Sequence, residues 1–452
     1  MKSAQPDRAD RGRFQLRLAL LVALGVFAQE SVWNFHDSQT PVTLAQYTTS
    51  VALIGLIMGL DNIIGIFVQP LMGFLSDRTR SRWGRRTPFI LIGVPVAALL
   101  FVLIPLAPAF PILIAVIVLF SLTANSFKPV TEALIADQQL PQHRSKGNAL
   151  GRAASSLTII VSALLSLFVV DESVELAYII AAAVMVGCFA ILVFTLREQR
   201  TAGYLAVVDE DREAGVEKPG FFAILKEIVT DRDRSRLFMI AAIIVTWGSW
   251  AAIRALLTLY GVEQLGLSRG DAGGFTLPAG VAFLVVVIPV AILSDRFGRR
   301  LMMRLGIIVF ALGALIAFAF NTSSTATLIG VLVAACGFAG FAVNATVMLW
   351  NLAPSQRLIG IYTGIFAVAQ AIGSSAGPAT VGLLVDATDW GFLMLFLAGI
   401  SLVGLLLTFG VRREYAPEQL AEATFVEAER AEIAHADEAG AKQARVEADR
   451  ES

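Results

Sequence analysis

The stretch Gly73-Phe-Leu-Ser-Asp77-Arg78, which runs on to Gly84-Arg85-Arg86, has a counterpart far along the chain in Ala291-Ile-Leu-Ser-Asp295-Arg296-Phe-Gly298-Arg299-Arg300. Each stretch follows an apolar segment and combines a serine-aspartate-arginine sequence with a glycine and paired arginines. Matching loops at equivalent positions indicate a chain of two related halves. The motif residues are Gly73, Asp77, Arg78, Gly84, Arg85, Arg86, Asp295, Arg296, Gly298, Arg299 and Arg300.

Each part of the first loop has a physical rationale. A small residue at Gly73 would let its helix approach a neighbour, and Asp77 could accept hydrogen bonds at a helix end. The arginines are expected to stay on the anionic, cytoplasmic side of a membrane.

The composition around these loops is that of a membrane protein. Of the 452 residues, 56% are hydrophobic and 16% are charged, and the charges fall in short blocks between apolar segments. Segments of about 20 residues are long enough to cross about 30 Å of hydrocarbon. The predicted segments are 16–37, 47–75, 88–107, 110–136, 147–170, 174–195, 237–262, 273–293, 301–320, 325–351, 358–385 and 390–411. The sequence thus predicts an all-α membrane protein with two six-helix halves.

Four regions follow from this pattern. Residues 1–196 form the first half, 197–236 a charged cytoplasmic linker, 237–411 the second half and 412–452 an acidic tail. Lys and Arg concentrate in alternate loops, which places both termini in the cytoplasm and the protein in the inner membrane. The net charge of −1 gives no reason to expect a nucleic-acid partner.

Enzyme and metal chemistry find little support in the sequence. The two cysteines, Cys188 and Cys336, lie in separate apolar segments. The three histidines are scattered, and we place His36 in an outer loop, His143 in an inner loop and His435 in the tail. With neither a nucleophile motif nor a phosphate-binding loop, we expect no metal, no cofactor and no enzymatic activity.

The paired loops resemble the signature of the major facilitator superfamily. The first loop is extended, reading from Gln69 through Gly84-Arg85-Arg86-Thr87-Pro88, and this form is similar to a sugar-transporting branch of the superfamily. That branch contains the sucrose transporters and the glycoside-pentoside-hexuronide:cation symporters. A second stretch, with Asp137, Pro141 and Arg144, is similar to the loop after the fourth helix in the same branch.

The resemblance implies transport of a disaccharide or glycoside together with H⁺ or Na⁺. Sodium-coupled, melibiose-type members have acids where this chain has Gly65, Gln69 and Lys128. A sodium site needs several oxygen ligands, so Na⁺ is not expected and H⁺ is the expected coupling ion. Plant-type sucrose transporters have an arginine where Glu132 stands, which argues against sucrose itself.

Ionisable side chains inside a membrane are costly and are candidates for the transport path. Asp61 lies near the middle of the second segment, and Lys128 and Glu132 lie one turn apart on the fourth. Lys128 is either the structural partner of Glu132 or Asp61, or a participant in coupling. Together with Glu30, these are the four candidates for proton coupling, with Asp61 first.

Glu30, Asn34 and Asp37 share one face of the first segment. We expect Asp37 to lie at the water boundary, where a carboxylate needs no special role.

The second half carries one clear charge at membrane depth, Arg254, which shares a helix face with Trp247 and Trp250. A sugar ring stacks on indoles while its hydroxyls need fixed hydrogen-bond partners. The two tryptophans could equally be packing residues. The candidates for substrate binding are Trp247, Trp250, Arg254, Asn34, Trp33, Asn344 and Gln370.

The predicted function is secondary active transport, with proton-coupled uptake of a sugar or glycoside by alternating access of a monomer. Two alternatives stay open. The same fold could export sugars or drugs, or it could act as a non-transporting membrane sensor.

Overall fold

A computed structural model describes residues 16–79, 81–138, 144–196, 234–353 and 359–411. Within them the chain is helical, and the predicted fold class is confirmed. Eleven helices are long and apolar enough to span a membrane, and the segment Thr87–Leu103 is shorter. The predicted linker, up to its last residues, and the tail lie outside the described residues.

Within the described residues, each half contributes six main helices. The first half contains α1 (Leu16–Ala45), α2 (Val51–Arg78), α3 (Thr87–Leu103), α4 (Phe110–Gln138), α5 (Arg144–Leu165, continued by a π-helical turn Ser166–Val170) and α6 (Val174–Thr195). The second half contains α7 (Ser235–Glu263), α8 (Thr276–Phe297, preceded by a short helix Arg269–Gly274), α9 (Arg299–Ala319), α10 (Ser324–Trp350), α11 (Ile359–Asp386) and α12 (Leu393–Phe409, preceded by a 3-10 turn Trp390–Phe392).

Serine side chains begin several of these helices. The hydroxyls of Ser50, Ser173, Ser268 and Ser323 each accept a hydrogen bond from the backbone N–H three residues on. Such caps satisfy amides that have no partner inside the helix. The turn residues between apolar segments therefore set where α2, α6 and α10 start.

The predicted end of the first helix was wrong. It was placed near residue 37, but α1 continues past Pro41 to Ala45. The added turns are polar, and their side chains have partners: Gln39 on Ser166, and Thr40 on Tyr178. Because these polar residues are buried against protein, hydropathy underestimated the helix, and both His36 and Asp37 lie inside it.

The two ends of the bundle differ. At the motif end, defined by the loops after α2 and α8, α1 begins and α12 ends. At the opposite end the halves meet closely. A Cβ on Gly55 of α2 would come within 2.3 Å of the Pro378 carbonyl oxygen, and one on Gly59 within 2.4 Å of that of Ser375. The backbones of α2 and α11 are therefore in direct contact there.

Polar contacts close the same end. Asp386, at the end of α11, accepts hydrogen bonds from the Ser50 hydroxyl (2.8 Å) and from the amides of Val51 (2.7 Å) and Ala52 (3.0 Å). Asp171, after α5, accepts from the Ser268 hydroxyl (2.6 Å) and the Gly270 amide (2.7 Å).

The C-terminal part of α2, towards the motif end, is more exposed than its N-terminal part. Its side chains Phe67, Leu71 and Phe74 are exposed. The halves are thus in backbone contact at the opposite end, whereas these side chains towards the motif end are not covered by protein.

Candidate functional site

An ion pair joins the two halves at membrane depth. The guanidinium of Arg254 on α7 donates to Asp37 of α1 at 2.7 Å and to the Asn34 side-chain oxygen at 3.1 Å. Arg254 lies about 28 Å along the helix axis from Ser235, at 1.5 Å per residue. Its side chain is 42% exposed although it touches the other half, so it faces a space between the halves.

This pair corrects the expectation for Asp37. The residue lies inside α1, which continues to Ala45, and it contacts a cation of the other half, so it has a role that the sequence did not predict. The predicted face of Glu30, Asn34 and Asp37 is confirmed as the half-exposed side of an otherwise largely buried helix. Asn34 also donates to Thr158 of α5 at 2.7 Å.

Lys128 on α4 forms an ion pair with Glu30, with 3.3 Å between its ammonium nitrogen and a carboxylate oxygen. It also lies 5.9 Å from the centre of the Trp33 ring. Sequence reasoning had offered Glu132 or Asp61 as its structural partner and did not consider Glu30. Glu132 is exposed one turn further along α4. The two acids still act on Lys128 electrostatically.

Asp61 lies on α2 about 15 Å from Val51 along the axis, at 1.5 Å per residue. Its carboxylate accepts from the Asn62 amide (2.7 Å) and the Asn62 side chain (2.6 Å). It is in electrostatic range of Asp37, His36 and Lys128. Among the described ion pairs, Glu30 and Asp37 each take part in one and Asp61 takes part in none.

Next to Asp61, α2 and α4 are joined by a polar contact. Gln69 donates to the Asn125 oxygen at 2.7 Å, and Asn125 donates to the backbone carbonyl of Asp61 at 3.1 Å. A Cβ on Gly65 would come within 2.9 Å of Asn125, which explains the small residue there. The predicted stripe of Asp61, Gly65 and Gln69 thus faces α4.

The tryptophans of α7 belong to an aromatic cluster in the second half. Trp250 stacks on Phe338 with ring centres 4.3 Å apart and planes 8° apart. Trp247 makes edge contacts with Phe338 (5.1 Å) and Phe366 (5.6 Å). Both tryptophans are half-buried, so they pack among phenylalanines while part of each ring stays accessible, and Trp250 lies one turn before Arg254 on α7.

The remaining substrate candidates differ in accessibility. Asn344 is fully buried and donates to Ser294 (2.9 Å) and to the Gly340 carbonyl (2.8 Å), so it joins α10 to α8. Gln370 is half-buried on α11. Trp33 is 8% exposed and packs on Phe120. The structure brings Trp33, Asn34 and Arg254 to the space between the halves or its border and leaves Asn344 in the packed interior.

The paired loops after α2 and α8 show why glycine and arginine recur in the motif. Gly84 and Gly298 have φ angles of +112° and +94°, which favour glycine over residues with a Cβ. Arg85 and Arg86 are only 2% and 4% exposed, and Arg86 donates to the Ser76 hydroxyl. These two arginines therefore pack inside the protein rather than facing lipid headgroups.

Other residues of the paired loops are less closely packed than Arg85 and Arg86. A Cβ on Gly73 would meet nothing within 4 Å, so the predicted close approach of helices at Gly73 was wrong for this conformation. Arg78 lies over the Phe74 ring at 3.9 Å, and Arg296 lies 5.5 Å from the Phe297 ring. In the second loop Asp295 pairs with Arg299 at 2.5 Å, and Arg300 is half-buried. The side chains of Asp77, Asp137 and Arg144 lie outside the described residues.

Sequence reasoning missed the residues that close the opposite end. Besides Asp171 and Asp386, Arg269 donates to the Gln39 side chain (2.8 Å) and the Thr43 hydroxyl (2.7 Å) across the halves. A signal for the two acids exists, since Val170-Asp171-Glu172-Ser173 and Val385-Asp386-Ala387-Thr388 repeat a Val-Asp-x-Ser/Thr pattern.

The described residues form twelve main helices in two equivalent halves, with charges facing a space between them, an arrangement typical of multi-pass membrane transporters. A profile of the Major Facilitator Superfamily matches residues 22–290 and 275–444. The chain therefore belongs to this superfamily of transporters.

The chain is 24% identical to multidrug resistance protein 2 of Bacillus subtilis over 365 residues, which is 79% of this chain and 86% of the relative. It is 25% identical over 158 residues to an uncharacterised transporter of Yersinia pestis, and spans 39% of the length of that relative. These similarities support the superfamily rather than the sugar-transporting branch.

Solved transporters share the fold. The nucleoside transporter NupG superposes with a TM-score of 0.68 at 16% identity, covering 88% of this chain and 100% of that one. A bacterial homologue of the lysosomal transporter Spinster, solved facing inward, gives 0.64 at 15% identity over 93% of this chain and 96% of that one. At such identities the likeness concerns the fold alone.

Proposed function

We propose that this protein is a proton-coupled secondary active transporter that takes up a sugar or glycoside by alternating access. The observation that carries the proposal is the Arg254–Asp37 pair, in which charges of opposite sign from the two halves meet at 2.7 Å between membrane-spanning helices. Charged pairs at this depth are costly and are typical of coupling sites. A pair that spans two moving halves must break and re-form as they rock.

The arginine-rich loops favour a cytoplasmic location for the motif end. The first described helix begins at Leu16 and the last ends at Phe409, both on that side, so both termini would be cytoplasmic in the inner membrane. With the opposite end closed by Asp171 and Asp386, the structure would correspond to an inward-facing state.

Asp61 is the proposed coupling residue. Glu30 and Asp37 already have cationic partners at 3.3 Å and 2.7 Å, whereas the Asp61 carboxylate is held by Asn62. A proton is the natural ligand for a half-buried carboxylate without an ion-pair partner. The ammonium of Lys128 beside Glu30 disfavours a sodium ion there.

The contrast between the halves supports an amphipathic, uncharged solute. Glu30, Asn34 and Asp37 offer donors and acceptors for hydroxyl groups, and Trp250 with its phenylalanine neighbours offers an apolar wall. A glycoside with an apolar aglycone matches both surfaces.

Export of amphipathic drugs is the second candidate. The aromatic wall around Trp247 and Trp250 would also accept an apolar drug, and the similarity to multidrug resistance protein 2 extends over most of both chains.

The test is uptake of labelled glycosides into liposomes that contain the purified protein, with and without an inwardly directed proton gradient. We expect gradient-driven accumulation, and we expect Asp61→Asn to lose accumulation while keeping exchange of labelled for unlabelled solute. Glu172→Gln, an exposed carboxylate at the opposite end, is the matched control. Exchange that proceeds in the wild type with no response to the gradient would contradict proton coupling.

The same vesicles separate the alternatives. Gradient-driven removal of a fluorescent amphipathic dye, without movement of any glycoside, would replace uptake by drug export. Absence of any flux across both panels would favour a sensor.

A further inference from the structure

The imidazole of His36 is a buried titratable group that the proposed mechanism does not use. It is 1% exposed and lies between the rings of Trp33, at 5.8 Å, and Phe120, at 5.3 Å. Neither ring nitrogen has a hydrogen-bond partner among the described residues. A buried polar group without a partner is costly, so its presence calls for an explanation.

The same helix face carries two more such atoms. The Gln29 side-chain oxygen and the Trp33 ring nitrogen are also buried without a hydrogen-bond partner in the described part of the chain. Gln29, Trp33 and His36 follow one another at helical spacing, so they line one stripe of α1. A stripe of unpaired polar atoms suits a route for water molecules or protons better than a dry core.

His36 also lies beside the ion pair that joins the halves. Its Nδ1 is 3.6 Å from one Asp37 oxygen, Oδ1, while Arg254 contacts the other, Oδ2, at 2.7 Å. The other charged groups that act on Asp37, His36 or both are Asp61 on α2 and Lys128 on α4. The Asp37 carboxylate is therefore placed between a permanent cation of the second half and a titratable base of its own helix.

Alternating access requires the opposite end to open. When it opens, Arg254 moves away with α7, and the partly exposed Asp37 carboxylate loses its closest cation. A carboxylate between membrane helices is favoured when another group takes the place of the lost partner. Protonated His36 is the compensating group within reach.

We propose that His36 takes up a proton as the opposite end opens and replaces Arg254 as the partner of Asp37. The proton comes from water and adds to the neutral imidazole, whose N–H then donates to the Asp37 carboxylate. On closing, Arg254 returns and the proton leaves. The inference deepens the proposed proton coupling, on which it rests, by adding a second proton site beside Asp61.

The proposal predicts that acid opens the opposite end. Histidine is the side chain suited to switching between pH 5 and 8. A single linked proton changes the ratio of open to closed molecules by at most about tenfold per pH unit. We expect that ratio to rise about threefold or more between pH 8 and pH 5.

The experiment measures the distance between spin labels at Leu106 and Thr322, exposed residues at the opposite end of the two halves. The full chain is studied in lipid nanodiscs without added solute, after replacing Cys188 and Cys336 by alanine. His36→Phe keeps a ring between Trp33 and Phe120 but cannot bind a proton. We expect the acid-induced distance increase in the parent and its loss in His36→Phe, with unchanged thermal stability.

A second measurement covers the case in which His36→Phe fails to fold. Replacing His143 and His435 by glutamine leaves His36 as the only histidine of the chain. The NMR shifts of the labelled ring then report its protonation directly. We expect a charged ring in the open population and a neutral ring in the closed one. The same protonation in both, or a pH response that persists in His36→Phe, would overturn the proposal.

Failure of this inference differs from failure of the proposed function. If gradient-driven uptake proceeds but the distances in His36→Phe respond to pH as in the parent, His36 is not the second site and Asp61 coupling stands. If no solute moves but the pH response depends on His36, the proton site stands and the transport assignment falls.

Discussion

Asp171 and Asp386 hold equivalent places at the ends of the fifth helices of the two halves, and each carboxylate binds the start of a helix in the other half. Asp386 contacts the first amides of α2 at 2.7 and 3.0 Å, and Asp171 contacts the Gly270 amide at 2.7 Å. Carboxylates at helix starts are favoured by the helix dipole and by unpaired amides. Because both acids reach across the halves, they stabilise only the state in which the opposite end is closed.

Asp386→Asn should therefore favour opening of the opposite end. The change removes a charge from the start of α2 and destabilises the closed state by about 1 kcal/mol. This corresponds to roughly a fivefold rise in the ratio of open to closed molecules. The distance between spin labels at Leu106 and Thr322 measures that ratio. Asp389→Asn is the matched control, since Asp389 accepts from Gly391 within its own half at 2.8 Å. Equal shifts in both variants would contradict the role of Asp386.

Gly55→Val should prevent closure without preventing folding. A Cβ on Gly55 would lie 2.3 Å from the Pro378 carbonyl oxygen, which belongs to the other half. The clash disappears once the halves separate, so we expect a population held open at the opposite end and transport reduced at least about tenfold, consistent with a closure penalty above about 1.4 kcal/mol.

The control for this variant is Gly337→Val. A Cβ on Gly337 would lie 2.2 Å from the Phe310 amide nitrogen within the second half, where no rocking motion relieves the clash. We expect it to lower the thermal unfolding temperature, whereas Gly55→Val leaves that temperature nearly unchanged. A Gly55→Val protein that unfolds like Gly337→Val would show that the contact is needed for folding instead.

The Arg254–Asp37 pair predicts rescue by charge exchange. Either Arg254→Asp or Asp37→Arg alone places two like charges together and should open the opposite end. The double variant restores opposite charges across the halves, and we expect it to recover a closed population. Because the pair is partly exposed, it stabilises the closed state by about 1 kcal/mol or less. Spin-label distances of the three variants test this, and no recovery in the double variant would argue against a direct pair.

Some features of the fold could be predicted from the sequence and others could not, depending on the kind of contact that determines them. The helices and the two halves follow from apolar segment length and from the repeated loops, because both depend on local sequence. Helix ends buried by polar partners were missed: α1 runs on to Ala45 since Gln39 and Thr40 pair inside the protein.

Contacts between distant helices were harder to predict from the sequence than helix ends. The spacing of Lys128 and Glu132 suggested a pair on one helix, but it could not reveal that Lys128 contacts Glu30 of α1. Helical spacing tells which residues share a face and does not tell which face of another helix lies opposite. The role of Asp37 was missed for the same reason, since its partner Arg254 lies in the other half.

The Lys128–Glu30 contact predicts that Lys128 depends more on Glu30 than on Glu132 during transport. In a double-mutant cycle of Glu30→Gln and Lys128→Gln, measured by initial transport rate, the double variant should be little worse than the poorer single variant, because each change removes the same contact. The coupling energy should be about 1 kcal/mol for this half-buried pair. In the matching cycle with Glu132→Gln, one turn away on α4, we expect a smaller coupling energy than for Glu30, because Glu30 has the stronger electrostatic effect on Lys128. A larger coupling for Glu132 than for Glu30 would mean that Lys128 changes partner during transport, and that the 3.3 Å contact belongs to one conformation only.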